Sequence, residues 1–190
     1  MKLSFVAAAL AAVLCSGPAF AAPVSYQADP DHTYANFSYQ HLGLTVQSAR
    51  FNEASGTVVF DKEARQASVD VAVTMSSVDT GTASFDKRIQ EPDFLGAAEF
   101  PKATFKSKAV RFEGDKPVEV QGDLTIKGVT KPVTMKVTTF ALKDHPMLKK
   151  PMLGAEGIID IKRTEFNAGK FVPLVADEVR LHLVIEAMVK

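Results

Sequence analysis

Val118-Glu119-Val120-Gln121-Gly122-Asp123-Leu124-Thr125-Ile126-Lys127 is the stretch on which the fold class turns. Successive side chains of an extended chain point to opposite faces, so Val118, Val120, Leu124 and Ile126 share one side. Glu119, Gln121, Asp123, Thr125 and Lys127 take the other. Period-two alternation of this kind predicts a strand with one face on a core and one in water.

The same pattern extends outward in both directions. Ala35, Phe37 and Tyr39 alternate with Asn36, Ser38 and Gln40. Gly56, Val58 and Phe60 share a face, as do Val69, Val71, Val73 and Met75. Val133, Met135 and Val137 follow Pro132, and Gly157, Ile159 and Ile161 alternate with Ile158, Asp160 and Lys162. Val179, Leu181, Leu183, Ile185, Ala187 and Val189 form the last apolar face. Two segments change phase: Ala103 and Phe105 give way to Val110 and Phe112, and Val133 and Met135 to Phe140 and Leu142. A one-residue slip is a β-bulge, which bends a strand and helps a sheet curl. Long one-sided strands with bulges predict a closed antiparallel barrel, with a two-sheet sandwich as the alternative.

One region departs from alternation. Ser76-Ser77-Val78-Asp79-Thr80-Gly81 is turn-like, and Thr82 is placed to cap a short helix over 83–89. Phe85 and Ile89 lie four apart on one face of that helix, which is suited to plug one end of a barrel. With Phe94 and Leu95 they are candidate core or mouth residues.

The inward sets contain small residues: Ala35, Gly56, Gly122, Ala155, Gly157 and Ala187. Small inward residues leave room, so the interior is either a ligand cavity or an ordinary filled core. Alternation does not distinguish the two.

The N-terminus reads as an export signal. Lys2 is followed by an uncharged apolar run over 3–14, then Gly17-Pro18 and the small-x-small pattern Ala19-Phe20-Ala21. The run is shorter than the roughly 20 residues a spanning helix needs. Residues 1–21 are therefore expected to be a cleaved signal peptide, residues 22–190 a single domain, and the location the periplasm. Leu14 before Cys15 does not fit a lipoprotein signal, so the chain's one cysteine is expected to leave with it. A cysteine-free mature chain suits an oxidising compartment.

The 22 basic and 22 acidic residues balance, and no basic stripe with interleaved aromatics occurs, which argues against a nucleic-acid partner. His32, His41, His145 and His182 are not spaced as a zinc motif. No G-x-S-x-G elbow, P-loop or dinucleotide fingerprint is present, so enzymatic activity has no support. His41 continues the Phe37–Tyr39 face to the strand end, where it is a hydrogen-bonded histidine or part of a polar ligand end. His182, on the polar face of its strand, is expected in solvent. Arg163 continues the Gly157-Ile159-Ile161 face; pointing inward, it needs a carboxylate such as Asp31, Asp86 or Asp177, or a ligand head group. The loop Met147-Leu148-Lys149-Lys150-Pro151-Met152-Leu153 mixes apolar tips with two cations, a pattern suited to transient contact with an anionic membrane or to a plain strand connection.

Several ordered motifs carry a resemblance. They are Asp31-His32-Thr33 with Phe37 and His41, then Ser76-Ser77-Val78-Asp79-Thr80-Gly81, then Asp93-Phe94-Leu95 and Phe100-Pro101-Lys102-Ala103-Thr104-Phe105. Gly122-Asp123-Leu124-Thr125-Ile126-Lys127-Gly128-Val129-Thr130-Lys131-Pro132-Val133 follows, with Arg163-Thr164-Glu165-Phe166 and Ala176-Asp177-Glu178-Val179 at the end. Together they resemble the YceI-like family of exported, lipocalin-like polyisoprenoid-binding proteins. Thr33 stands where the family often has serine, and Asn167 where it often has glycine; Asn tolerates the left-handed conformation.

The resemblance implies an all-β, extended eight-stranded antiparallel lipocalin-like barrel with a short helix between strands and a long apolar tunnel. It implies a carrier of a long-chain isoprenoid lipid, of prenyl quinone or polyprenyl phosphate type, or of another amphiphile. No catalytic residue, metal or cofactor besides the bound lipid is implied. Candidate wall residues are Phe37, Tyr39, Val71, Val73, Phe85, Leu124, Ile126, Ile159, Ile161, Leu183 and Ile185, with His41 and Arg163 at the polar end. Capture of hydrophobic toxic compounds or antibiotics in the same cavity is the alternative function. The sequence accommodates a monomer or a homodimer.

Overall fold

The computed structural model describes residues 22–190, so the expected signal peptide lies outside the described residues. The strands in chain order are β1 (Val24–Ala28), β2 (Tyr34–His41), β3 (Thr45–Phe51), β4 (Ala54–Asp61), β5 (Gln66–Thr74) and β6 (Val78–Asp79). The helix α1 (Ala83–Ile89) follows, then β7 (Lys102–Glu113), β8 (Lys116–Ile126), β9 (Val129–Asp144), β10 (Pro151–Lys162) and β11 (Val175–Val189).

Every pairing is antiparallel. Three consecutive pairs are the two halves of one bent stave: β1 with β2, β3 with β4, and β5 with β6. Counted as staves, the barrel has eight, and it closes through β11. That strand pairs with β10 along one edge, and along the other with β2 (Val184↔Tyr34) and then β1 (Ala187↔Ala28). The sandwich alternative is therefore excluded.

The corner between β1 and β2 is tied to a single acceptor. The Glu186 carbonyl accepts a hydrogen bond from the Asp29 N–H at 2.8 Å and from the Thr33 hydroxyl at 3.0 Å. Thr33 is completely buried, and its hydroxyl supplies the second donor to that carbonyl. Asn167 adopts the left-handed conformation (φ 55°, ψ 28°) that its position demands.

Both expected phase slips are bulges. Lys108 is the extra residue between Ser107 and Ala109 in β7, and Thr138 the extra residue opposite Glu156 and Gly157 in β9. A third bulge was not legible. Arg111 pairs with Glu119 and Phe112 with Pro117, which leaves Val118 as an extra residue. Pro117, rather than Val118, is the buried residue there. Two adjacent apolar residues hide a slip, because either satisfies the alternation.

The helix forms where expected, but Thr82 makes no capping side-chain bond. Its carbonyl accepts from the N–H groups of Phe85 and Asp86, and the Asp86 carboxylate holds the preceding turn by accepting from the Thr80 N–H and hydroxyl, both at 2.7 Å.

The room expected from the inward glycines is largely occupied. A methyl group on Gly122 would meet the Phe105 ring at 2.7 Å, one on Gly56 would meet Val71 Cγ2 at 2.9 Å, and one on Gly157 would meet Met135 Cγ at 2.6 Å. Each glycine is a seat for a large side chain from the neighbouring strand. One end of the barrel is filled by Phe60, with Phe112 and Phe140 at ring-centroid distances of 6.0 and 5.2 Å.

A strand contrast tests this packing. Gly122→Ala places its methyl against Phe105 and the Lys106 carbonyl and is expected to destabilise by about 2 kcal/mol. Gly154→Ala meets nothing within 4 Å and should change stability by under about 0.5 kcal/mol. Denaturant unfolding of the two variants reads the difference.

Candidate functional site

The end opposite Phe60 opens onto an apolar cavity of about 330 Å³. Alternation on β2, β5, β8, β10 and β11 aims their apolar faces into it, and α1 lies across its mouth with Phe85 and Ile89 facing inward. Phe37, Tyr39, His41, Val71, Val73, Phe85, Leu124, Ile126, Ile159, Ile161, Arg163 and Leu183 all line it. Ile185 does not. It packs with Leu153 and Ala187 toward the filled end and lines a separate cavity of about 50 Å³. Its face is as expected; its height along the barrel was not legible.

Other lining residues were not singled out from the sequence. Phe51 follows β3 into the wall, Phe166 is almost fully buried beneath the Arg163–Phe166 turn, and Phe171 reaches the mouth from the loop over 167–174 with φ of 65°. Phe166 belongs to the quoted Arg-x-x-Phe motif, and that motif was the one signal available for it.

Among the described residues Arg163 forms no ion pair with any of the carboxylates expected of it. Its Nε donates to the Ala176 carbonyl at 2.8 Å and one Nη to the Val175 carbonyl at 2.8 Å. The other Nη donates to the carbonyls of Ala168 and Lys170 at 2.6 and 2.7 Å. The guanidinium thus clips the loop over 167–174 and the start of β11 onto the mouth through main-chain acceptors alone. Burial pushes its pKa down from the usual value, against the pull of Asp177 and Tyr39. Asp177 itself accepts from the Thr164 N–H and hydroxyl at 2.8 and 2.7 Å.

Three other cations near the mouth are also engaged. Lys127 donates to the carbonyls of Pro92 and Asn167 at 2.9 and 2.8 Å, and burial lowers its pKa. Lys170 lies 3.2 Å from Asp93, and Arg88 pairs with Glu91. Burial raises the Tyr39 hydroxyl above its ordinary pKa, which keeps it neutral.

His41 lines the cavity, and among the described residues its ring makes no hydrogen bond. His32, at the other end of β2, bonds Asp29 at 2.8 Å, so the two histidines do not meet. His182 is half-buried rather than free in solvent, with Nε2 2.9 Å from Glu156 Oε2 across the β10–β11 pair. Among the described residues no group of three or more His, Cys, Asp or Glu is placed to hold a metal ion.

Exposed apolar side chains rim the opening: Leu42 and Leu44 in the β2–β3 turn, and Phe171 and Leu174 in the clipped loop. The Leu42 N–H donates to the Leu174 carbonyl at 3.1 Å, which joins the two segments. Met147 and Leu148 are also exposed, but the β9–β10 turn that carries them is at the filled end. That loop is thus remote from the cavity mouth.

An eight-stave antiparallel barrel filled at one end and open at the other onto an apolar cavity is a lipocalin-like calyx. Residues 26–187 match the YceI-like domain, and the chain belongs to the YceI-like family. Protein YceI of Salmonella arizonae is 36% identical over 191 residues, spanning 99% of this chain and 98% of that protein. The crystal structure of Burkholderia cenocepacia BcnA superposes with a TM-score of 0.73 at 28% identity, covering 84% of this chain and 99% of that one. A polyisoprenoid-binding domain from Saccharophagus degradans shares the fold with a TM-score of 0.66 at 15% identity, over 88% of this chain and 99% of that one.

Lysine cannot reproduce the fork of donors with which Arg163 holds four carbonyls. Arg163→Lys is expected to destabilise by about 2 kcal/mol and to speed amide hydrogen exchange selectively in residues 168–176. Exchange mass spectrometry reads the second effect independently of the first.

Proposed function

We propose that the protein is an exported, periplasmic carrier that holds a long-chain isoprenoid lipid with its tail in the barrel and its head group at the mouth. The observation that supports this most directly is the apolar cavity behind a rim of exposed apolar side chains. Its volume lies at the lower end of the range for small-molecule sites. Each methylene moved from water into such a wall contributes about 0.8 kcal/mol, so a prenyl tail supplies a large driving force against the cost of ordering it. Membership of the family, and the description of the Saccharophagus domain as polyisoprenoid-binding, agree with this reading.

The state of the mouth cations favours a neutral head group over a phosphate. Arg163, Lys170, Lys127 and Arg88 are all committed to carbonyls or carboxylates of the protein itself. A phosphate would have to displace one of those partners; a quinone ring needs only a donor such as the Tyr39 hydroxyl or His41. The function therefore assigned is binding of a prenyl quinone-type lipid, without catalysis. Exchange with a membrane would use the rim at the mouth, because a tail leaving there need not cross water.

Delipidated protein should take up one prenyl quinone per chain from vesicles, and a polyprenyl phosphate of equal length should compete poorly, both read by native mass spectrometry. Failure to take up any prenyl quinone rules the reading out. Leu44→Glu at the rim should slow uptake from vesicles by about tenfold, whereas Leu148→Glu at the filled end should leave it unchanged.

A further inference from the structure

The barrel interior holds two adjoining cavities, of about 330 and 50 Å³, that share three wall residues: Met135, Gly157 and Leu183. Met135 is buried, and its side chain is laid over Gly157, where no Cβ stands in its way. On its mouth side the wall continues through Leu124 and Ile159; on its far side through Val137 and Phe140.

A side chain that merely fills a core is packed on all sides, since interiors hold few voids. Met135 instead separates two voids. Of the three shared residues it alone is both large and adaptable. Gly157 has no side chain and Leu183 is branched, whereas methionine is unbranched with three rotatable bonds. Rotation of that side chain off its glycine seat would open the far cavity to the near one without moving the backbone.

We propose that Met135, seated on Gly157, sets the length of apolar chain the barrel accepts: it is the internal stop against which the ligand's tail ends. This rests on the cavity being the site of a chain-like apolar ligand. Apart from Glu156, whose carboxylate is paired with His182, the wall beyond the stop is apolar, so what lies past it suits further carbons.

The test is equilibrium binding of ubiquinone homologues carrying from one to ten isoprenoid units to the wild-type protein, Met135→Ala and Met135→Leu. In the wild type, affinity should rise with tail length and then level off at a limit. Met135→Ala should move that limit by at least one isoprenoid unit and tighten the homologues beyond it about tenfold, leaving the shortest unchanged. Met135→Leu, which conserves volume, should keep the wild-type limit. An unchanged limit in Met135→Ala, or an equal shift in Met135→Leu, overturns the proposal. Should the alanine variant not fold, Met135→Val reads the same shift. A parallel series of linear alkanols makes the outcome independent of isoprenoid recognition. Uptake of alkanols but of no quinone sinks the isoprenoid reading while the alkanol limit still judges Met135. Uptake of neither sinks both.

Discussion

The closure of the barrel rests on one long strand that serves three neighbours. β11 offers one edge to β10 and divides the other between β2 and β1. A barrel with an open edge would present a row of unpaired main-chain groups, and closure removes that row. The division is possible because the chain turns a corner between Asp29 and Thr33, and the corner is held by the doubly bonded Glu186 carbonyl. From that point the staves diverge in environment. Below it, β1 and β4 pack with β11 around Phe60 and Ala187; above it, β2 and β3 lead to the mouth, where α1 covers what the strands leave uncovered.

The apolar interior follows from how neighbouring strands share volume. Glycine on one strand and a large side chain on the next form a pair, as Gly122 does with Phe105 and Gly56 with Val71. Such pairs bring strands close and fill the space in the lower and middle barrel. Toward the mouth the inward residues include Ala35 and Ala103 beside Phe37, Phe51 and Ile161, and a cavity remains between them. The shape of the void is thus set by register, which decides whose side chain lies over whose glycine.

At the mouth, charge is used for architecture. A guanidinium turned toward an apolar cavity would be costly if unpaired, and Arg163 meets that cost with four carbonyls, those of Ala168 and Lys170 in the loop before β11 and those of Val175 and Ala176 at the start of β11. The carbonyls gain a donor and the arginine gains acceptors, so each explains the other. The opening thus has exposed apolar side chains on its rim, while Arg163, Lys127, Lys170 and Arg88 are engaged within the protein, which is the ground on which we propose a neutral head group.

Much of this was legible in the sequence because it is local. Alternation determined which face most strands bury, phase slips placed bulges within 103–112 and 132–142, and the turn at 76–81 located the helix. The ordered motifs placed the chain in its family. What escaped was everything that depends on side chains distant in sequence. The slip at Val118 was hidden beside an equally apolar Pro117. The height of Ile185, the end of the barrel to which Met147 belongs, and the partners of Arg163 all depend on register and closure rather than on periodicity. Most of all, the glycines at 56, 122 and 157 promised space that neighbours on other strands occupy. A sequence states which way a side chain leaves its backbone; only the assembled barrel decides what is already there to meet it, because a void belongs to the gap between strands and to no strand alone.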